Sequence, residues 1–220
     1  MSHIEAEKLF KIGQENYEKK DYLKAQNYFS KVLELYPENL SALRNLALCY
    51  FYTKNFEQAE LILKKIIKIK INEPNAISML VEVLDKQDKV DETIQYINLG
   101  IKEKLLDERW LIREKIILPM IFKDKDDVKF SRNRLNQNLN EILNSKKKIS
   151  LDIDNQLLRP PQFQLSYDEY DNLEINKKCV KFFRKIYPQI NETNVLKNIS
   201  KSKIKIGFIS EYLTDHTIGK

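Results

Sequence analysis

The chain has 220 residues, with 38 Lys and Arg against 32 Asp and Glu for a formal net charge of +6, and 42% hydrophobic residues but only four Gly and six Pro. So few turn-forming residues in a charged, Leu- and Ile-rich chain exclude collagen-like, low-complexity and turn-rich all-β classes and predict long helices. The length fits one large domain, or a domain with part of a second.

Residues 1–10 carry acids and no apolar run, and no stretch approaches the roughly 20 apolar residues of a membrane span. A cytoplasmic protein without membrane contact is expected. Lysines pair with acids at helical spacing, as Glu5 with Lys8, Glu15 with Lys19 and Asp85 with Lys89, which reads as solvated helix faces rather than a nucleic-acid patch. Cys49 and Cys179 stand far apart, give neither a disulfide framework nor metal-ligand spacing, and are expected as small buried apolar residues.

From residue 4 to about 105 the chain repeats itself. Gly13, Ala47 and Val81 recur in steps of 34 residues, as do Ala25, Ala59 and Thr93, then Phe29, Leu63 and Ile97, and Ile12, Leu46 and Leu80. This is the tetratricopeptide period, in which each repeat is two antiparallel helices. A small residue sits where the backbones approach, and a bulky one fills the gap to the next pair. First helices are predicted over 4–19, 39–51 and 75–84, and turns over 19–21, 53–55 and 87–89. Pro37 ends the second helix of the first repeat because it cannot continue the backbone ladder. In the third copy Gly100 stands where Val32 and Ile66 stood, so the repeat drifts.

A fourth first helix is predicted over 108–118, with Trp110, Leu111 and Ile117 on its apolar face, as the capping end of the solenoid. The concave side of such a solenoid, lined by first helices, suits an extended peptide or another protein. Asn45 is the candidate to bond a ligand backbone through its amide. The next helix is predicted over 124–144, with Asp126 and Asp127 in its first turn and an apolar stripe of Val128, Leu135, Leu139, Ile142 and Leu143. Residues 149–165, with Pro160 and Pro161, read as an extended linker across the surface. A helix over 170–187 is expected to bury Leu173, Val180, Phe183 and Cys179, with Pro188 ending it. Residues 203–210 have the β-branched and aromatic content of a strand, and 211–219 read as a loop entering a helix. A lone parallel strand is physically incomplete, so the chain is expected to be the amino-terminal part of a longer protein.

The segments beyond the repeats resemble the bacterial SPINDLY-like and O-linked N-acetylglucosamine transferase family. Leu118-Pro119-Met120-Ile121-Phe122 with the stretch from Asp126 to Leu135 looks like its connector, and Pro161-Gln162-Phe163-Gln164-Leu165-Ser166-Tyr167 is similar to a further connector segment. Ile204-Lys205-Ile206-Gly207-Phe208-Ile209-Ser210, with Asp215-His216 and Thr217-Ile218-Gly219, looks like the first strand and loop of its catalytic lobe. The resemblance implies an all-α tetratricopeptide helical-hairpin solenoid over 1–118, a helical connector over 119–200, and over 201–220 the strand-loop start of an α/β glycosyltransferase lobe.

It also implies transfer of N-acetylglucosamine, or a related sugar, from a uridine-diphosphate donor to protein Ser or Thr, with the repeats holding the acceptor protein. His216 matches the family's active-site histidine, and Asp215 and Thr217 would orient it. The family's groove asparagines survive only as Asn45, because Lys11 and Met79 take the equivalent places. The nucleotide-binding lobe lies past residue 220 in the family pattern, so no cofactor-binding or metal residue is assigned within these 220, and they are expected to be inactive alone. The competing expectation, from another function class, is a non-enzymatic tetratricopeptide adaptor.

Overall fold

The computed structural model describes residues 2–146, 150–151, 158, 161–166 and 168–191. The first six helices are α1 (Ser2–Glu18), α2 (Tyr22–Leu35), α3 (Leu40–Tyr52), α4 (Phe56–Ile69), α5 (Ala76–Lys86) and α6 (Val90–Lys102). Each packs on the next in sequence, α1 on α2, α2 on α3 and so on to α6 on α7 (Glu108–Ile116). These are the three predicted hairpins and the capping helix. No strand occurs among the described residues.

The 34-residue period reappears in the backbone. Lys20, Lys54 and Asp88 all take the left-handed conformation, with φ of 61°, 60° and 59°. Each ends a first helix with the same pair of bonds: Lys54 N donates to Phe51 O and Asn55 N to Tyr50 O, and the equivalent bonds recur at Lys20 with Asp21 and at Asp88 with Lys89. Such a turn satisfies the carbonyls a helix end leaves open. The residue after it then starts the next helix: Asp21 and Asn55 accept from the backbone N–H of Lys24 and Gln58.

The packing columns are buried as the periodicity predicts. Ala25, Ala47, Ala59, Val81 and Thr93 are fully buried, with Phe29, Leu63 and Ile97 filling between hairpins. A methyl added to Gly13 would lie 2.7 Å from the Phe29 ring, so the missing side chain gives that ring its place. Gly100 has a matching explanation. A Cβ there would meet Leu106 at 2.5 Å, so Leu106 occupies the space that Val32 and Ile66 fill in their own repeats.

Contacts between hairpins keep the same register. Gln26 on α2 bonds Thr53 in the α3–α4 turn at 3.0 Å. One period later, Glu60 on α4 accepts from Gln87 in the α5–α6 turn at 2.7 Å. In this second copy the acid also accepts from Lys64 and Lys89, both at 2.7 Å. Burial on its own pushes the Glu60 carboxyl up, but these three donors outweigh it and hold the group at about 2.

Beyond α7 lie α8 (Lys125–Asn144), the short α9 (Gln162–Leu165), α10 (Leu173–Ile186) and a 3₁₀ turn, Pro188–Asn191. The structure corrects three expectations in this region. On α7, Leu111 is exposed and Ile112 and Ile116 are buried instead, because they turn toward the shared core with Leu135 and Leu139 of α8. On α10, Leu173 and Val180 face solvent; the buried stripe is Ile175, Cys179, Phe182 and Ile186, which succeed one another at helical spacing on the side opposite Leu173. Of residues 149–165, expected as an extended linker across the surface, the described Leu151, Leu158 and Leu165 are buried. Leu151 donates its N–H to Ile186 O at 2.8 Å, and Leu151, Leu158 and Leu165 enter the core. Their apolar side chains outweigh the prolines. In the third repeat, Asp85 and Lys89, expected as a solvated pair, turn to Arg113 and Glu60 instead.

Both cysteines are fully buried, and burial pushes the thiols up, Cys49 to about 12 and Cys179 to about 11. No helix among the described residues is long and apolar enough to cross a membrane.

Candidate protein-binding groove

The first helices α1, α3, α5 and α7 present one column of residues in steps of 34: Lys11, Asn45, Met79 and Arg113. Lys11 is exposed, while Asn45 and Met79 are half-buried. The Asn45 amide donates to Ser41 O of its own helix at 2.9 Å, which fixes the side chain along α3. Its Oδ1 and second N–H are left as the groups a ligand backbone would use.

The column ends differently. Arg113 is 5% exposed, pairs with Glu82 and Asp85 of α5, and lies 5.3 Å over the Trp110 ring. It therefore joins α7 to α5 and offers nothing to a ligand.

At the amino end of the groove, α1, the end of α2 and the start of α3 enclose a cavity of about 570 Å³. Its floor is Ala6, Phe10, Val32 and Tyr36, and its rim carries Glu7, Lys11, Gln14 and Ser41. Phe10 packs on Phe29, with ring centroids 5.5 Å apart, so the hairpin core props the floor. The edge is polar on both sides: His3 lies 3.3 Å from Glu7, and Asn39 caps α3 by accepting from Ala42 N at 2.9 Å. An apolar floor with a polar rim suits an apolar side chain entering from an extended chain whose backbone the rim can bond. Sequence reasoning did not single out this cavity. Phe10 and Tyr36, two aromatics near the ends of the first hairpin that the repeat columns leave unassigned, were its available signal.

Of the predicted site residues, Asn45 lies half-buried on α3; Asp215, His216 and Thr217 lie outside the described residues, as does the expected strand over 203–210. Among the described residues no group of His, Cys, Asp and Glu is arranged to hold a metal.

Hairpins of this period, stacked with their first helices on one side, define a tetratricopeptide-type solenoid. Residues 16–80 match the tetratricopeptide repeat family model. No curated protein matches the chain. Among solved structures, the chain is similar to the TPR domain of OM64 from Arabidopsis, with 18% identity over 52% of this chain and 95% of that one, at a TM-score of 0.47. The Sgt2 TPR domain from Aspergillus fumigatus is 18% identical over 69% of this chain and 89% of its own, at 0.43. MamA from Desulfovibrio magneticus, from residue 41 to its end, is 17% identical over 64% and 78%, at 0.45.

Proposed function

We propose that this chain is a protein-interaction module that holds an extended segment of a partner protein along α1, α3 and α5. The observation that carries the reading is the apolar-floored cavity at Phe10 and Tyr36, opening beside Lys11 and in register with Asn45. An apolar side chain of the partner enters the cavity, and the Asn45 amide bonds its backbone. The test selects 12-residue peptides from a random displayed library on the whole chain. Phe10→Asp and Asn45→Ala then weaken the selected peptides by about tenfold or more; because Phe10 also packs on Phe29, affinities are compared at a temperature where circular dichroism shows each variant as folded as the parent. Equal affinity for both variants would overturn the reading.

The finer proposal is that the module presents an acceptor protein to a glycosyltransferase lobe using a uridine-diphosphate N-acetylglucosamine donor. It is supported by the family resemblance of the segments from Leu118 to Gly219, in family order. In that reading His216 takes a proton from, or holds, the acceptor hydroxyl, and Asp215 and Thr217 orient the imidazole. The proposed location is the cytoplasm, where such a donor is found. In a protein carrying this chain with a complete lobe, His216→Ala lowers sugar transfer by about 10²–10⁴-fold at unchanged thermal stability. Turnover at the parent rate removes His216 from the site, whereas no transfer by the parent protein leaves the adaptor reading.

A further inference from the structure

The Phe10 cavity has counterparts one and two periods further along the chain. Its residues Phe10, Tyr36 and Asn39 become Arg44, Lys70 and Glu73 in the second repeat, and Ser78, Lys104 and Asp107 in the third. The backbone keeps the register. Asn39 N donates to Tyr36 O and Glu73 N to Lys70 O, both at 3.1 Å, while Tyr36 N and Lys70 N close α2 and α4 by donating to Val32 O and Ile66 O, both at 2.8 Å. Between the second and third sites, Ala76 N donates to Glu73 O at 3.2 Å as Trp110 N does to Asp107 O at 3.1 Å. The three sites therefore share a framework and differ in their side chains.

The third site is open. A cavity of about 500 Å³ lies there, between the start of α5 and the loop from α6 to α7. Ser78, in the place of Phe10, takes little of its volume. Ile77, Leu106 and Trp110 give it an apolar lining, and its rim carries Asp107 and Arg109, bonded to each other at 2.8 Å. This repeats the plan of the first cavity, an apolar interior with a polar edge, which suits an apolar side chain of a bound segment.

The second site is filled by charge. Glu73 stands between two cations: Arg44 donates to it at 3.1 Å, and Lys70 lies 3.2 Å away. The Glu73 side chain is 8% exposed although it belongs to a loop, so the triad packs over the position that stays open in the first repeat. A side chain entering there would have to part Arg44 from Glu73 and leave a mostly buried carboxylate short of a cation.

We infer that Arg44 sets the specificity of the groove: by pairing with Glu73 it closes the second site, so that a partner is anchored in the first and third alone. The occupant is one extended segment of a partner protein carrying two apolar side chains, one for each cavity. Helices that pack side by side, as α1 and α3 do, lie about 8–10 Å apart. Sites two repeats apart are then separated by about 20 Å, or about six residues of extended chain. The inference rests on the interaction-module reading and adds to it which residues of the partner are read.

The test replaces each residue of a 12-residue peptide, selected on the whole parent chain, by alanine. Two apolar positions about six residues apart are expected, each weakening binding by about tenfold when replaced. Arg44→Ser gives the second repeat the side chain of the third, and peptides selected on that variant should carry an added apolar position midway between the two. Ser78→Arg copies the second repeat into the third; it should weaken the parent's peptide by about tenfold, after which replacing the second anchor changes nothing further. A peptide with a single apolar anchor, sensitive to Phe10→Asp and indifferent to Ser78→Arg, overturns this inference and leaves the interaction-module reading standing. The same apolar pattern selected on the parent and on Arg44→Ser also overturns it, by removing Arg44 as the determinant. Selection of no peptide at all overturns both. A parent chain that sediments as a dimer and is dispersed by Ser78→Arg would assign the third site to a second copy, and would overturn the inference too.

Discussion

Replacing Arg113 with Ala lowers the stability of the chain by about 3–5 kcal/mol, the range seen when one partner of a buried ion pair is removed. The side chain is 6% exposed and faces two carboxylates, Glu82 and Asp85, of which Asp85 is itself 13% exposed. Truncation removes the Arg113 charge from beside both acids, takes the guanidinium off the Trp110 ring, and opens a void beside Ile116 and Leu118. Arg113→Lys should lose less, because it keeps the charge, but one ammonium cannot match two carboxylates as a planar fork does. Urea unfolding monitored by Trp110 fluorescence measures both. A loss below about 1 kcal/mol for the Ala variant would show that the pair is a solvated contact.

The same substitution tests how the repeats are tied to the connector helices. Arg113 is carried by α7, whose Ile112 and Ile116 belong to the core of α8 and α10, while its carboxylate partners sit on α5 of the third repeat. The second tie, Asp88 to the backbone of Met120 and Ile121, is more exposed. With Arg113 gone, repeats and connector are expected to unfold at separate urea concentrations. In the parent chain they are expected to unfold together.

The repeats were legible because their columns carry residue size, which the 34-residue register preserves. Gly13, Phe29, Ala47 and Leu63 say where backbones meet and where gaps are filled, and the structure packs them so. The connector was less legible, because nothing repeats there to fix which face is inward. Leu173 and Val180 compete with Ile175 and Phe182 as an apolar stripe, and only contact with α8 decides between them. Pro160 and Pro161 suggested a surface linker, yet Leu151, Leu158 and Leu165 are each apolar enough to be buried in the core. In the groove, Asn45 could be placed from its column, but the cavity beneath Phe10 and Tyr36 joins residues from three helices and has no linear pattern. Arg113 stands in the column of Lys11 and Asn45, and by register alone would face a ligand. Its burial is set by Glu82 and Asp85, which replace the Leu48 and Phe51 of the preceding repeat.

Glu60 supplies the second large effect, and its pH dependence separates it from ordinary acid unfolding. The carboxyl is held at about 2 in the folded chain against an ordinary 4.5, so the unfolded state binds the proton more tightly. Its contribution is therefore fully present above pH 4.5 and is lost as pH falls through the interval from 4.5 to about 2. The difference corresponds to about 3 kcal/mol at neutral pH. Lys64 is shifted upward by the same contact and by Glu92, against the opposing effect of burial, so the two shifts describe one interaction and are not added. Other carboxylates also titrate in this range, and a single acid profile would mix them. The informative quantity is the gap between the parent and Glu60→Gln, which keeps the shape and loses the charge. The gap should be about 3 kcal/mol at pH 7 and small at about pH 2, where the folded parent has itself begun to take up the proton. A gap that stays constant with pH would mean that Glu60 acts through packing and neutral hydrogen bonds to Gln87. In that case Gln26 with Thr53, the uncharged version one repeat earlier, would be its full equivalent.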